Sequence, residues 1–127
     1  SEVRRVWIDG WQMQCCGDPF EVGSVVEWTV APVDTEFLGV VLGSAEAESV
    51  TDAEEHHSES EHALATLSGE VRSITSVHCA YEASPKGDEL YPVADSARLE
   101  AKPRVDGWER ETDDLRFLGY LVDLAES

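Results

Sequence analysis

The sequence predicts an all-β domain, in the form of a small, partly open β-barrel of the OB-like or SH3-like kind with five or six strands. Several segments alternate apolar and polar residues, and Gly, Pro and Asp turns separate these segments. No amphipathic helix of about ten residues links two of them, as an α/β fold would require. The 127 residues fit one domain, 1–127. A compact β-sandwich is the alternative architecture.

The opening segment, 3–15, has the character of an extended strand. Alternate residues would then share one face: Trp7, Asp9, Trp11, Met13 and Cys15. Asp9-Gly10 is the dipeptide of a two-residue hairpin turn, and it also suits a bulge in one long, bent strand. The bulge is favoured, because a small barrel needs long bent strands to close.

Three later segments also have strand character. In 24–30, Val26, Trp28 and Val30 share one face, and 69–82 alternates in the same way. The last strand, 116–124, is apolar on both faces, which predicts a central or doubly covered position. A weaker strand is expected at 97–102.

Two segments fall outside this scheme. Residues 34–43 begin with a possible N-cap at Asp34 or Thr35 and end at a glycine, so they form either a short helix or a buried strand. Residues 44–63 are acidic, small and histidine-bearing, with almost no large apolar side chain. They are interpreted as a flexible acidic insertion or the tip of a long surface hairpin.

The charge of the chain restricts its partners. It carries 27 Asp and Glu against 9 Lys and Arg, a formal net charge of −18. This field repels phosphate backbones and anionic membranes, so neither direct nucleic-acid binding nor membrane binding is expected. The same charge suits an acidic mimic of nucleic acid, which we keep as one alternative. The odd cysteine count favours reduced thiols and a cytoplasmic location.

The candidate ligand-binding surface consists of aromatic and amide side chains. Gln and Trp together on a barrel strand suit contact with a protein or a small molecule, whereas a recognisable set of acid, base and nucleophile is missing from the sequence. The leading hypothesis is therefore a non-enzymatic binding module. Its predicted contact residues are Trp11, Gln12, Gln14 and Trp108.

A metal-binding protein is the alternative from a different class. Cys15, Cys16, His78 and Cys79 carry ligand types that zinc prefers. Adjacent residues of a strand point to opposite faces, so the pairs 15–16 and 78–79 can each present only one ligand to the same side. Together they would supply two ligands, whereas a structural zinc site needs four. Packing of the thiols as small hydrophobic groups is favoured, and no cofactor is expected.

The block Trp-Ile-Asp-Gly-Trp-Gln-Met-Gln-Cys-Cys-Gly-Asp-Pro-Phe at residues 7–20 is distinctive. With this block the chain resembles a family of small uncharacterised bacterial proteins, a domain of unknown function. The likeness continues in shorter pieces at 22–23, 27–28, 69–71, 106–108 and 119–123. The resemblance implies a free-standing cytoplasmic protein and carries no activity.

Overall fold

The computed structural model describes residues 3–15, 19–54, 65–83, 85–87, 89–94, 96–111 and 114–127. Its helices are α1 (Gly10–Cys15), α2 (Thr35–Leu42) and α3 (Ser44–Ser49). Its strands are β1 (Val3–Asp9), β2 (Phe20–Glu21), β3 (Val25–Ala31), β4 (Asp52–Glu54), β5 (Ala65–Cys79), β6 (Tyr81–Ala83), β7 (Leu90–Pro92), β8 (Arg98–Lys102), β9 (Arg104–Val105) and β10 (Arg116–Glu126).

Five of these strands close a barrel. Around the ring, β10 pairs with β1, β1 with β4, β4 with β3, β3 with β5, and β5 with β10. The β1–β4 pair is parallel and the other four are antiparallel. The predicted small all-β barrel is confirmed, and β8 lies outside the ring as an extra strand on β5.

The ring has the connectivity of an OB-fold entered at a different point of the chain. We assign β5, β10, β1, β3 and β4 to places one to five in the strand order of an OB-fold. Each strand then pairs with the same two neighbours as the strand at that place in an OB-fold. Its parallel pair also falls between places three and five, where β1 meets β4. Places two and three, which form the binding face of OB-folds, are therefore β10 and β1.

The predicted strands at 24–30, 69–82, 97–102 and 116–124 are confirmed as β3, β5 with β6, β8 and β10. β10 is central, since β1 and β5 flank it and the four successive residues from Gly119 to Val122 are buried. Two register shifts between β10 and β5, near Leu118 and near Arg72, bend these long strands around the barrel.

Apolar side chains pack on both sides of the barrel wall. Inside lie residues such as Val6, Ile8, Val71 and Val122. Outside, α2 and α3 cover Trp7 of β1, Leu121 of β10 and Val77 of β5 in a second apolar cluster. The outer face of β1 and β10 is therefore buried under the two helices.

The prediction of a strand through 11–15 is wrong, because β1 ends at Asp9 and α1 begins at Gly10. A Cβ at Gly10 would lie 2.6 Å from the Phe117 ring, so the chain turns where only glycine fits. In α1, Met13 is buried in the barrel core while Gln14 is exposed. The alternation that suggested a strand is thus produced by a helix of less than two turns.

Residues 34–43 form a helix rather than a buried strand. The Asp34 carboxylate accepts a 3.0 Å hydrogen bond from the backbone N–H of Phe37, which caps α2. The prediction of a flexible acidic insertion at 44–63 does not hold for residues 44–54, because they include α3 and β4. Ala47 and Val50 pack in the outer cluster, and β4 closes the ring, while 55–63 lie outside the described residues.

Candidate functional site

The most exposed tryptophan in the described residues stands on a turn formed by residues 106–108, the Trp108 turn. Trp108 has 69% of its surface exposed. Its backbone N–H donates a 2.8 Å hydrogen bond to the Asp106 carboxylate, and Gly107 supplies the positive φ of 88° that the turn needs. The backbone under the exposed indole is thus locally constrained.

Helix α1 fixes this turn against the barrel. The Gln14 side-chain amide donates a 3.0 Å hydrogen bond to the carbonyl of Gly107. A Cβ at Gly107 would lie 3.0 Å from the Cβ of Met13, so the turn and α1 are in close contact. Because Met13 is itself part of the barrel core, the backbone next to Trp108 packs directly on a core residue.

A polar cluster lies next to the turn. The two oxygens of Glu109 are bound by different donors: Oε1 lies 3.0 Å from Lys102 Nζ, and Oε2 accepts a 2.7 Å hydrogen bond from the Tyr120 hydroxyl. The Glu109 side chain is only 11% exposed. Burial, and then the hydrogen bond to Glu109, raise the pKa of Tyr120 above its ordinary range, and the same carboxylate raises the pKa of Lys102.

Aromatic rings continue this cluster along the barrel. Tyr120 meets Phe117 edge to face at a centroid distance of 4.9 Å, and Phe117 lies 5.4 Å from the His78 ring. The His78 imidazole donates a 3.0 Å hydrogen bond from Nε2 to the backbone carbonyl of Arg110. The segment that follows Trp108 is thereby tied to the end of β5.

A shallow cleft of about 270 Å³ adjoins the Trp108 turn at Asp106. The short β2–β9 pair forms much of its wall. Phe20 is nearly buried there and meets Trp28 edge to face at 5.1 Å. The cleft is lined by Pro19, Phe20, Glu21, Ser24, Arg104, Val105 and Asp106.

The structure brings two of the four predicted contact residues together. Gln14 and Trp108 meet through Gly107, although 93 residues separate Gln14 from Gly107 in the chain. Trp11 and Gln12 belong to α1, but their side chains lie outside the described residues. The Tyr120–Glu109–Lys102 cluster was missed, since no motif joins three residues from three separate elements.

The zinc alternative stays a prediction. The Cys15 side chain and the whole of Cys16 lie outside the described residues. Of the other two residues, His78 is bound to Arg110, and Cys79 is fully buried, where burial raises its pKa. In the described part of the chain, no three His, Cys, Asp or Glu side chains come close enough to hold a metal ion.

The chain belongs to a family of unknown function, DUF6578, whose profile matches residues 2–126. The family resemblance drawn from the sequence is thereby confirmed. The comparisons with curated proteins and with solved structures give no match. None of the helices in the described ranges has the length and apolar character needed to cross a membrane.

Proposed function

We propose that this protein is a non-enzymatic binding module that recognises a basic segment of a protein partner, with Trp108 as the anchor. The observation that carries the proposal is a largely exposed indole on a backbone that Asp106, Gly107 and Gln14 hold in place. Tryptophan is enriched among the residues that dominate binding energy at interfaces. A fixed backbone reduces the entropy lost on binding, which favours affinity.

Charge supports a basic partner. The net charge of −18 attracts cationic surfaces over the whole molecule. Near the anchor, Asp106 and Glu21 are exposed, while Arg104 lies in the same cleft. An arginine or lysine of the partner would stack on the indole and be flanked by these carboxylates, an arrangement that combines cation–π and ionic attraction.

The cover of the outer barrel face also supports this location. OB-folds bind oligonucleotides and oligosaccharides on the face that corresponds to β10 and β1. Here α2 and α3 bury Trp7 and Leu121 on that face. Contact through the Trp108 turn needs no displacement of the helices. A reducing, cytoplasmic setting belongs to the proposal because the chain has an odd number of cysteines.

Calorimetric titration with synthetic Lys- and Arg-rich peptides tests the proposal. Peptides in which Gln replaces every Lys and Arg serve as the comparison. We expect the basic peptides to bind and Trp108→Ala to weaken them at least about tenfold. Tyr91→Ala is the matched control, because Tyr91 is 50% exposed on β7 and lines a different cleft, beside Phe37 and Val40 of α2. If no basic peptide binds, or if Trp108→Ala binds as tightly as the wild type, the proposal is wrong.

Salt separates this function from the nucleic-acid mimic. A mimic acts through its charge field, so its binding collapses with added salt and does not depend on one indole. An anchored segment retains the contribution of Trp108 when the charges are screened. If the wild type and Trp108→Ala bind with the same affinity at every salt concentration, the nucleic-acid mimic is favoured.

A further inference from the structure

A second cleft, of about 260 Å³, opens where the end of β5 meets β8. In the register of this strand pair, His78 lies opposite Arg98. Arg98, Glu100 and Lys102 alternate along β8, so their side chains leave the strand on one face. The segment after Trp108 forms the other wall, with Glu109, Arg110 and Leu115. The cleft is separate from the one beside Trp108.

Basic side chains concentrate in this cleft. Three of the nine Lys and Arg residues line it, namely Arg98, Lys102 and Arg110, in a chain with a net charge of −18. They form a local group of cations in a molecule whose overall field repels extended polyanions. A small anion can enter such a local site because its few charges meet short-range hydrogen-bond donors rather than the distant field.

The two carboxylates of the cleft, Glu109 and Glu100, both face Lys102, so the positive charge left for an anion lies on Arg98 and Arg110. Glu109 is occupied by Lys102 at 3.0 Å and by the Tyr120 hydroxyl at 2.7 Å. Glu100 is 70% exposed and lies 3.6 Å from the same ammonium group. Arg98 donates to neutral backbone carbonyls of Ser96 and Ala97, so that guanidinium keeps its positive charge while its position is restrained.

We propose that this cleft binds a phosphate group, either free or carried by a small molecule. Two guanidinium groups match the geometry of phosphate oxygens with paired N–H donors, and the Lys102 ammonium, which Glu109 holds in place, can add one further N–H donor. The His78 ring lines the same cleft. The volume of about 260 Å³ is close to the lower end of the range for small-molecule sites.

The test is a nitrogen–proton NMR titration of the full chain with sodium phosphate and, separately, with glycerol phosphate, each against sodium chloride of equal ionic strength. We expect saturable shifts at the amides of Arg98 and Arg110, with a dissociation constant on the order of 1 mM for inorganic phosphate. Saturation by both probes supports a small-molecule phosphate, and saturation by inorganic phosphate alone supports the free ion.

Arg98→Gln and Arg110→Gln, singly and together, show whether the cleft is responsible. The double variant should weaken binding at least about tenfold. Arg72→Gln is the control, because Arg72 is 61% exposed on β5 and pairs with Glu70 outside the cleft. The proposal is overturned if the wild type shows no saturable shifts or if the folded double variant binds phosphate with unchanged affinity. An equal loss of affinity in Arg72→Gln would also overturn it. Folding of each variant is read from the same spectra.

Discussion

The hydroxyl of Tyr120, a residue of the barrel interior, donates a 2.7 Å hydrogen bond to Glu109, a residue of the segment that follows the Trp108 turn. This bond joins the core of the barrel to the loop that carries the exposed indole. Lys102 binds the other carboxylate oxygen, so three separate elements meet at one carboxylate. The geometry of the candidate surface is therefore coupled to the packing of the core.

Tyr120→Phe should change how stability depends on pH. The pKa of Tyr120 is raised in the folded protein, so the folded state holds a proton that the unfolded state loses above about pH 10. The stability that this bound proton contributes is fully present below the pKa of tyrosine in the unfolded chain, and it is lost as the pH rises above that value. The variant lacks this contribution and should show a shallower alkaline loss.

Urea unfolding between about pH 7 and pH 11 measures this effect. Near pH 7 the variant should be destabilised by about 1 kcal/mol, because Glu109 loses one donor. Lys102, whose pKa is also raised, contributes to the alkaline loss in both proteins and sets the remaining slope. Identical slopes above pH 10 in the wild type and Tyr120→Phe would contradict the prediction.

Gly119→Ala should be strongly destabilising. A Cβ at Gly119 would lie 2.2 Å from the backbone oxygen of Ile8 and 2.8 Å from the Trp7 ring, so β1 and β10 could not keep their spacing. Overpacking of this kind costs about 3 kcal/mol or more when backbone must move. Thermal unfolding measures the loss.

Gly39→Ala is the matched control for that substitution. Gly39 lies within α2, and a Cβ there would meet nothing within 4 Å. Alanine is the better helix former by about 1 kcal/mol, so this variant should be as stable as the wild type or more so. A similar loss in both variants would mean that the close approach at Gly119 is not the cause.

Asp34→Ala should loosen α2. The Asp34 carboxylate caps the helix through the Phe37 N–H at 3.0 Å, and its removal should cost about 1 kcal/mol. Asp34→Asn keeps a capping oxygen and should retain most of that stability. Amide hydrogen exchange at Leu38 and Val41 should accelerate in the alanine variant, and equal exchange in the two variants would refute the role of the cap.

Arg4→Lys should weaken the seam that closes the barrel. The β1–β4 ladder pairs only Val6 with Asp52 and Trp7 with Ala53, and the Arg4 guanidinium reinforces it with two hydrogen bonds of 3.1 Å to Asp52. Lysine keeps the charge but not the paired donors, so stability should fall by about 1 kcal/mol.

Hydrogen exchange at Thr51 is the specific measurement for this seam, because its amide donates to the carbonyl of Arg5 across it at 2.8 Å. Exchange there should accelerate more than at the centre of β10. Arg72→Lys is the control, since Arg72 is 61% exposed and its ion pair with Glu70 lies within one strand, β5. Unchanged exchange at Thr51 in Arg4→Lys would show that the backbone ladder suffices.

Local patterns were enough to predict the long strands and the barrel class. In β3, the alternation of Val26, Trp28 and Val30 depends only on the pleat of an extended chain, so it can be seen without any neighbour. The unbroken apolar run in β10 likewise indicates that both faces of the strand are buried, without showing which elements bury them. Residues 34–43 stayed ambiguous because so short a segment fits two periods.

Tertiary structure alone decided where those patterns end and what comes together. The strand gives way to a helix at Gly10, where the Phe117 ring, 107 positions along the chain, occupies the space of a Cβ and requires glycine. The three residues of β4 carry no periodic signal, and they form a strand because β1 and β3 supply partners on both sides. The meeting of Gln14 with Gly107, and of Lys102 and Tyr120 with Glu109, follows from closure of the barrel. Periodicity is a property of neighbouring residues, whereas a site depends on contacts that only the closed ring creates.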